Sequence, residues 1–118
     1  MSIALEFDVE GALSRLGGDQ RLLCRLLDRS REELEGALAG SADPMRESTM
    51  AASLHRLRGG ALGLGAIAAV KELQLAESAL KLGSANEVHV HLRCALESVR
   101  RYRERMAHAS EAVAVRRS

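Results

Sequence analysis

The chain has 118 residues, of which 47% are hydrophobic, and its 17 basic residues balance 16 acidic ones. This length suits one domain with a single core, and the near-neutral charge excludes the strong field that draws proteins to nucleic acid or anionic membranes. Since there is no Trp, one Tyr and one Phe, the core must be built from Leu, Ala and Val, a composition that suits packed helices better than sheets.

The apolar runs, the N-terminal residues and the cysteine spacing predict a cytoplasmic protein without direct membrane contact. No apolar run approaches the roughly 20 residues of a transmembrane helix. The N-terminus also lacks the basic-then-apolar layout of a signal peptide. Cys24 and Cys94 are isolated, with no C-x-x-C pair, so we interpret both as small apolar residues in a reducing compartment.

Two helices are predicted in the first 40 residues. Residues 1–6 look like a loose lead-in, and Asp8 is a plausible N-cap for a short helix that a pair of glycines ends. Asp19 then caps a long second helix from residue 20 to about residue 39. Its apolar stripe comprises Leu22, Leu23, Leu26, Leu27, Ser30, Leu34 and Leu38.

A third helix is expected from about residue 44 to residue 64. Asp43 can cap it, and Pro44 suits the first helical position because its missing N–H has no intrahelical partner there. The glycine-rich stretch 63–65 predicts a bend or break before the next helix.

A fourth helix is predicted from about residue 66 to residue 82, and a last one begins after Ser84. The inward residues expected on the fourth helix are Ala66, Val70, Leu73, Ala76 and Leu80. The stripe on the last helix comprises Val88, Leu92, Ala95, Val99, Tyr102 and Met106. The periodic spacing of apolar residues ends after Met106, and residues 109–118 are expected to be a frayed tail.

These elements predict an all-α fold, with one domain over residues 7–108. Four long amphipathic helices joined by short loops favour an antiparallel up-down-up-down four-helix bundle. The short extra N-terminal helix is expected to lie across one end.

The third helix is predicted to present His55 away from the core. Its buried stripe comprises Met50, Leu54, Leu57, Ala61 and Leu64, and His55 falls roughly 140° from the centre of that stripe. Gly59 lies one turn further along the same outer face, and Gly costs about 1 kcal/mol against Ala inside a helix. We therefore expect that a partner needs the space above this helix.

The surroundings of His55 favour a phosphorylatable imidazole over a merely solvated one. Arg56 and Arg58 flank it, and the fork of Arg58 complements phosphoryl oxygens, although a plain surface cation is the alternative reading of that residue. In-line phosphoryl transfer from another domain requires a neutral imidazole that points outward from a helix face with small side chains. The sequence contains no Walker loop or kinase nucleotide signature, so the phosphoryl group must come from another protein.

A metal site is the competing interpretation of the histidines. Di-iron bundles use inward Glu-x-x-His pairs, and the chain has none. His89 and His91 lie two residues apart, hence about 200° apart on a helix, and cannot easily share an ion. We predict no metal site, and we read His91 as a residue at the boundary of its helix's buried stripe.

Two motifs resemble the histidine-containing phosphotransfer (HPt) family. His55-x-Leu57-Arg58-Gly59, followed by Leu64-Gly65-Ala66, is similar to the family signature H-x-L-K/R-G-x-x-x-x-L-G-A. The stretch from Leu16 to Leu27, LGGDQRLLCRLL, resembles the L-G-G-D-x-x-L-L-x-x-L-L opening of bacterial members. With Phe7-Asp8 upstream and Glu77 on the fourth helix, the resemblance covers about residues 7–82.

The resemblance implies that His55 accepts a phosphoryl group at its outer ring nitrogen, that Arg58 replaces the usual Lys, and that Gly59 admits the partner. It implies receiver domains of response regulators as partners, together with a hybrid sensor histidine kinase in a phosphorelay. The receiver would supply Mg²⁺, so the chain needs no cofactor and is a phosphocarrier, not an enzyme. The expected docking residues are Ala51, Ala52, Arg56 and Leu62, and the expected state is a monomer.

Three positions depart from the family pattern: Ser30 where Phe is usual, and Ala69 and Glu72 where Leu is common. They suggest a smaller core near Ser30 and a shifted or less buried fourth helix. Two other functions stay open. One is a helical module that docks receivers without carrying phosphate, and the other is the phosphoacceptor domain of a chemotaxis kinase.

Overall fold

The computed structural model describes residues 6–41 and 47–117, without the side chains of 47–48 and 110–117. These residues form helices α1 (Val9–Arg15), α2 (Gln20–Gly40), α3 (Glu47–Gly63), α4 (Ile67–Lys81) and α5 (Ala85–Arg117). The described ranges contain no strand, so the all-α prediction is confirmed. The predicted cap at Asp43-Pro44 lies outside the described residues.

Both predicted aspartate caps are confirmed. A carboxylate oxygen of Asp8 accepts a hydrogen bond from the Gly11 amide at 3.0 Å, and Asp19 accepts one from the Leu22 amide at 3.0 Å. Each bond satisfies a backbone donor that has no partner inside its own helix. The boundaries of α1 and α2 therefore follow from local sequence.

The core is shared by all five helices, and its largest fully buried side chain is that of Tyr102. Helix α4 packs against both α3 and α5, α5 also packs against α2, and α2 contacts α3 and α1. The stripe predicted for α5 is buried throughout: Val88, Leu92, Ala95, Val99, Tyr102 and Met106. The predicted stripe of α3 is buried as well.

The buried face of α4 is wider than predicted. Ala66, Leu73 and Ala76 are buried as expected, and Val70 and Leu80 are partly buried against the core. Ala69 and Ala79, which were not predicted to face inward, are buried as well. Because α4 lies against two helices at once, the face turned towards both is the buried one. Alanine there lets the neighbouring backbones approach closely. Ala69, which was expected to leave the fourth helix shifted or less buried, lies within this buried face.

The predicted break at residues 63–65 is a tight turn between α3 and α4. Gly65 has a φ of +71°, a left-handed conformation that costs other residues about 1–2 kcal/mol. Its carbonyl accepts a hydrogen bond from the Asp8 amide at 2.7 Å, and the Ala68 amide donates to the Glu6 carbonyl at 3.1 Å. The segment before α1 therefore bonds through its backbone to the turn and to the start of α4.

Two side chains hold the same turn from other helices. The Tyr102 hydroxyl of α5 donates to the Leu64 carbonyl at 2.7 Å, and its ring stacks on Phe7 with centroids 4.5 Å apart. Arg15 of α1 donates to the Gly63 carbonyl at 3.0 Å. A cation at the C-terminus of α3 satisfies carbonyls that lack helical partners and complements the helix dipole.

Ion pairs join α2 to α5 along their exposed edges. Arg103 bonds Asp28 at 2.9 Å, and Arg100 bonds Glu35 at 3.2 Å. Hydrogen bonds from Arg31 and Arg100 lower the pKa of the Glu35 carboxyl. Such exposed ion pairs contribute little to stability. We therefore infer that their role is to align α2 with α5.

None of the helices in the described ranges combines the length and the apolar character that crossing a bilayer requires.

Replacement Tyr102→Phe is expected to lower the free energy of unfolding by about 1–3 kcal/mol at neutral pH, because the buried Leu64 carbonyl loses its donor. Burial, followed by the charge of Asp8, raises the pKa of Tyr102 from 10.0 to about 12. Between these values the unfolded chain releases the proton while the folded chain keeps it, so stability falls as pH rises. Urea unfolding across this window checks both points. An equally steep fall in the Phe variant would contradict the assignment.

Replacement Gly65→Ala should destabilise the fold by about 2 kcal/mol or more, through the left-handed φ and a collision of the new Cβ with the Asp8 carbonyl oxygen. Gly83 is the matched control, since its φ is +74° and a Cβ there meets nothing within 4 Å. We expect Gly83→Ala to cost only about 1 kcal/mol. Equal losses in urea unfolding would show that the contact with Asp8 is unimportant.

Candidate functional site

His55 lies on the exposed face of α3, as its periodicity predicts. Leu54 and Leu57 on either side are buried, and the imidazole is exposed. The exposed face also includes Ala51, Ala52, Gly59 and Leu62. Leu62 retains 57% of its accessible area, so a large apolar side chain stands two turns from the imidazole.

Arg58 connects His55 to a carboxylate on the next helix. Its Nη2 lies 3.0 Å from Nδ1 of His55, and its Nε donates to Oε1 of Glu77 on α4 at 2.9 Å. The side chains of Arg58 and Glu77 retain 31% and 22% of their accessible areas. The charged pair is therefore partly desolvated, and α4 anchors the guanidinium beside the imidazole.

The contact with Arg58 sets the hydrogen-bonding role of one imidazole nitrogen. A guanidinium has donors and no acceptor, so Nδ1 of His55 accepts in this contact. A neutral ring in this contact carries its hydrogen on Nε2. Within the described part of the chain, Nε2 has no hydrogen-bond partner, and the imidazole is exposed to solvent.

The two arginines predicted to flank His55 have different surroundings. Arg58 contacts the imidazole, whereas Arg56 is exposed and lines a hollow between α2 and α3 with Gly36 and Met50. Arg56 therefore offers a positive charge on the side of His55 that faces α2.

A second hollow of about 440 Å³ lies between α2, α3 and the end of α1. Gly59, Gly60 and Gly63 form its α3 side, and Leu26 and Ser30 line it from α2. A Cβ added to any of the three glycines would meet no atom within 4 Å. The smaller core expected near Ser30 corresponds to this hollow, and no contact within the described chain requires the glycines.

The histidines of α5 have partners of their own. His91 is half-buried and bonds Glu72 at 2.8 Å through Nδ1, which agrees with its predicted boundary position. His89 lies 3.1 Å from the Ser41 hydroxyl and 3.0 Å from Arg93. The described residues include no group of three or more His, Cys, Asp or Glu side chains placed to hold a metal.

Reasoning from periodicity alone missed the contact between Glu77 and Arg58. Only the resemblance to the HPt family pointed to Glu77. One local signal exists: Glu77 follows the buried Leu73 by four residues, so its carboxylate lies at the edge of the buried face of α4. The identity of its partner depends on how α3 and α4 pack, which periodicity does not specify.

Comparison of the chain with models of known families, with curated proteins and with solved structures finds no match.

Replacement Gly59→Ala is expected to raise the free energy of unfolding by about 1 kcal/mol, because alanine favours the helix and the added methyl meets open space. Thermal and urea unfolding measure the gain. Gly36→Ala on α2, where a Cβ also meets nothing within 4 Å, should give a similar gain. A loss of stability in the Gly59 variant would mean that packing within the chain requires this glycine.

Proposed function

We propose that this chain is a histidine-containing phosphotransfer domain. His55 accepts a phosphoryl group from the phospho-aspartate of one receiver domain and passes it to the aspartate of another. The chain acts in the cytoplasm as a monomeric phosphocarrier, and a hybrid sensor histidine kinase feeds the relay.

One observation carries the proposal: an exposed imidazole shares a helix face with Gly59, a glycine that nothing in the described chain requires, and a guanidinium touches the imidazole. Glycines that lower helix stability without an internal reason indicate a need for external space. Arg58 can bind phosphoryl oxygens through its fork. Together these features serve a reaction in which a second protein brings the phosphoryl group to the ring.

The proposal includes the finer topology, an antiparallel up-down-up-down bundle of α2 to α5 with α1 across one end. Short turns at residues 64–66 and 82–84 support it, since such connections favour antiparallel neighbours. The packing of α2 against α5 fits a closed set of four helices. This arrangement leaves the outer side of α3 open to a partner.

The transfer divides the catalytic groups between two proteins. Nε2 of His55, once its hydrogen has been lost to water and Nδ1 has taken one in its place, supplies an electron pair to phosphorus, and the bond from phosphorus to the aspartate oxygen breaks with its electrons left on the carboxylate. The receiver holds the Mg²⁺ that offsets the charge on the phosphoryl oxygens. On this chain, Ala51, Ala52, Gly59 and Leu62 form the docking face, and Arg56 adds positive charge at its edge.

Incubation with a panel of phosphorylated receiver domains tests the proposal. We expect acid-labile label on the wild type and none on His55→Gln, since glutamine has no ring nitrogen to phosphorylate. His108→Gln is the matched control because His108 is also an exposed histidine on a helix, and it should keep the label. Circular dichroism checks that both variants are folded.

Three outcomes would overturn parts of the proposal. Stable receiver binding without label from any receiver would favour a docking module that carries no phosphate. Label that persists in His55→Gln would place the phosphoacceptor elsewhere. Label from a kinase domain acting directly, and from no receiver, would favour the phosphoacceptor domain of a chemotaxis kinase.

A further inference from the structure

A third hollow, of about 660 Å³, lies between the first turns of α2 and the later turns of α5. Cys24 and Ala107 line it with small side chains, and Arg21 and Arg25 contribute positive charge. Its lining residues belong to α2, to the N-cap of α2 and to α5, so it is separate from the face of α3 that carries His55. Its volume lies within the range of about 300–1,000 Å³ that is usual for small-molecule pockets.

Two arginines of this hollow have no acidic partner. Arg21 and Arg25 are exposed, and among the residues that the structure describes neither forms a hydrogen bond or an ion pair. They lie four residues apart on α2, so their Cβ atoms are about 5–6 Å apart and their charges repel each other. Arg21 also lies in the first turn of α2, which contains no acidic residue, and a cation there opposes the helix dipole. Two uncompensated positive charges therefore lie side by side at a helix end that favours an anion.

The other charged residues of the hollow already have partners. Arg103 of α5 bonds Asp28 at 2.9 Å. Asp19 accepts a backbone amide of α2 as the N-cap of that helix. The two carboxylates therefore have donors of their own, whereas the guanidinium groups of Arg21 and Arg25 keep their donors available for a ligand.

The next arginine of α2 provides a contrast. Arg29 lies four residues beyond Arg25, and it bonds Glu33 at 3.3 Å. It does not line this hollow. In this row of three arginines, the two without an acidic partner are the two that line the hollow. A structure that needed only surface charge would not require this distribution.

We propose that the hollow between α2 and α5 binds a small organic diphosphate, with Arg21 and Arg25 each bonding one of its phosphate groups. A guanidinium presents its donors in a planar fork that matches phosphate oxygens. Two such groups one turn apart match two linked phosphate groups, and the positive end of the α2 dipole adds to the attraction. The small side chains of Cys24 and Ala107 leave space for the organic part. Binding is non-covalent, and it uses none of the residues assigned to phosphotransfer.

Calorimetric titration of the full chain with ADP, as the diphosphate probe, tests the proposal. An ionic strength of about 0.15 M screens general attraction between exposed charges. We expect Arg21→Ala and Arg25→Ala each to weaken ADP binding about five- to tenfold, because each removes a charge-assisted hydrogen-bonding group. Arg29→Ala, which removes the same charge from the same helix, should change the affinity by less than about twofold. Circular dichroism checks that the three variants are folded.

Cys24 provides a second readout of the position of the ligand. Cys24 and Cys94 are both free and partly buried, but only Cys24 lines the hollow. With ADP at about ten times its Kd, alkylation of Cys24 by N-ethylmaleimide should slow about tenfold, in proportion to the fraction of empty sites. The rate at Cys94 should stay unchanged. Mass spectrometry of the two cysteine peptides measures both rates in one sample.

Four outcomes would overturn the proposal. The first is an absence of ADP binding, or an equal loss of affinity in Arg29→Ala, which would mean general charge attraction. The second is binding that leaves Cys24 unprotected, which would place the ligand elsewhere. The third is equal affinity for AMP, which would exclude a pairing of two phosphate groups with two arginines. The fourth is a polyglutamate peptide that binds as tightly as ADP and depends equally on Arg21 and Arg25, which would assign the hollow to an acidic segment of a protein partner.

Discussion

The fold depends on the way separate parts of the chain meet at the turn between α3 and α4. The turn needs Gly65 for its left-handed conformation, and the segment before α1 pairs with it through backbone hydrogen bonds. Tyr102 reaches the same turn from α5, and Arg15 caps the last carbonyls of α3. Since these contacts join residues far apart in sequence, they fix the end of α3 relative to the rest of the molecule.

A firmly held end lets α3 carry a sequence that is poor for a helix. Three glycines in its last two turns weaken the helix by about 1 kcal/mol each against alanine. The contacts at the turn and the buried leucines of α3 offset that loss. Helix α3 can therefore have small residues on its exposed face around His55, because its stability does not depend on intrinsic helix propensity.

Much of this structure could be predicted from local sequence. The period of apolar residues located the helices, and Asp8 and Asp19 marked two helix starts through their capping oxygens. The exposure of His55 also followed from periodicity, because it depends only on the rotation between neighbouring residues of one helix. These features share one property: the information lies within a few residues of the position concerned.

The remaining features required the tertiary arrangement. Val70 and Leu80 were predicted to face inward and do pack against the core, but packing of α4 against two helices also buries Ala69 and Ala79. The pairing of Arg58 with Glu77 spans 19 residues and two helices. Periodicity ranks residues by burial and does not choose which polar side chain meets which across an interface.

The presence of arginine at position 58 has a further consequence. A lysine ammonium is a single point of charge on a flexible stem, whereas the guanidinium meets Glu77 and His55 through two nitrogens of one plane. The guanidinium thus links the imidazole of α3 to α4 through two hydrogen bonds of fixed relative direction. A displacement of α4 along α3 would move the guanidinium relative to the imidazole, so the hydrogen bonding of His55 depends on the packing of the neighbouring helix.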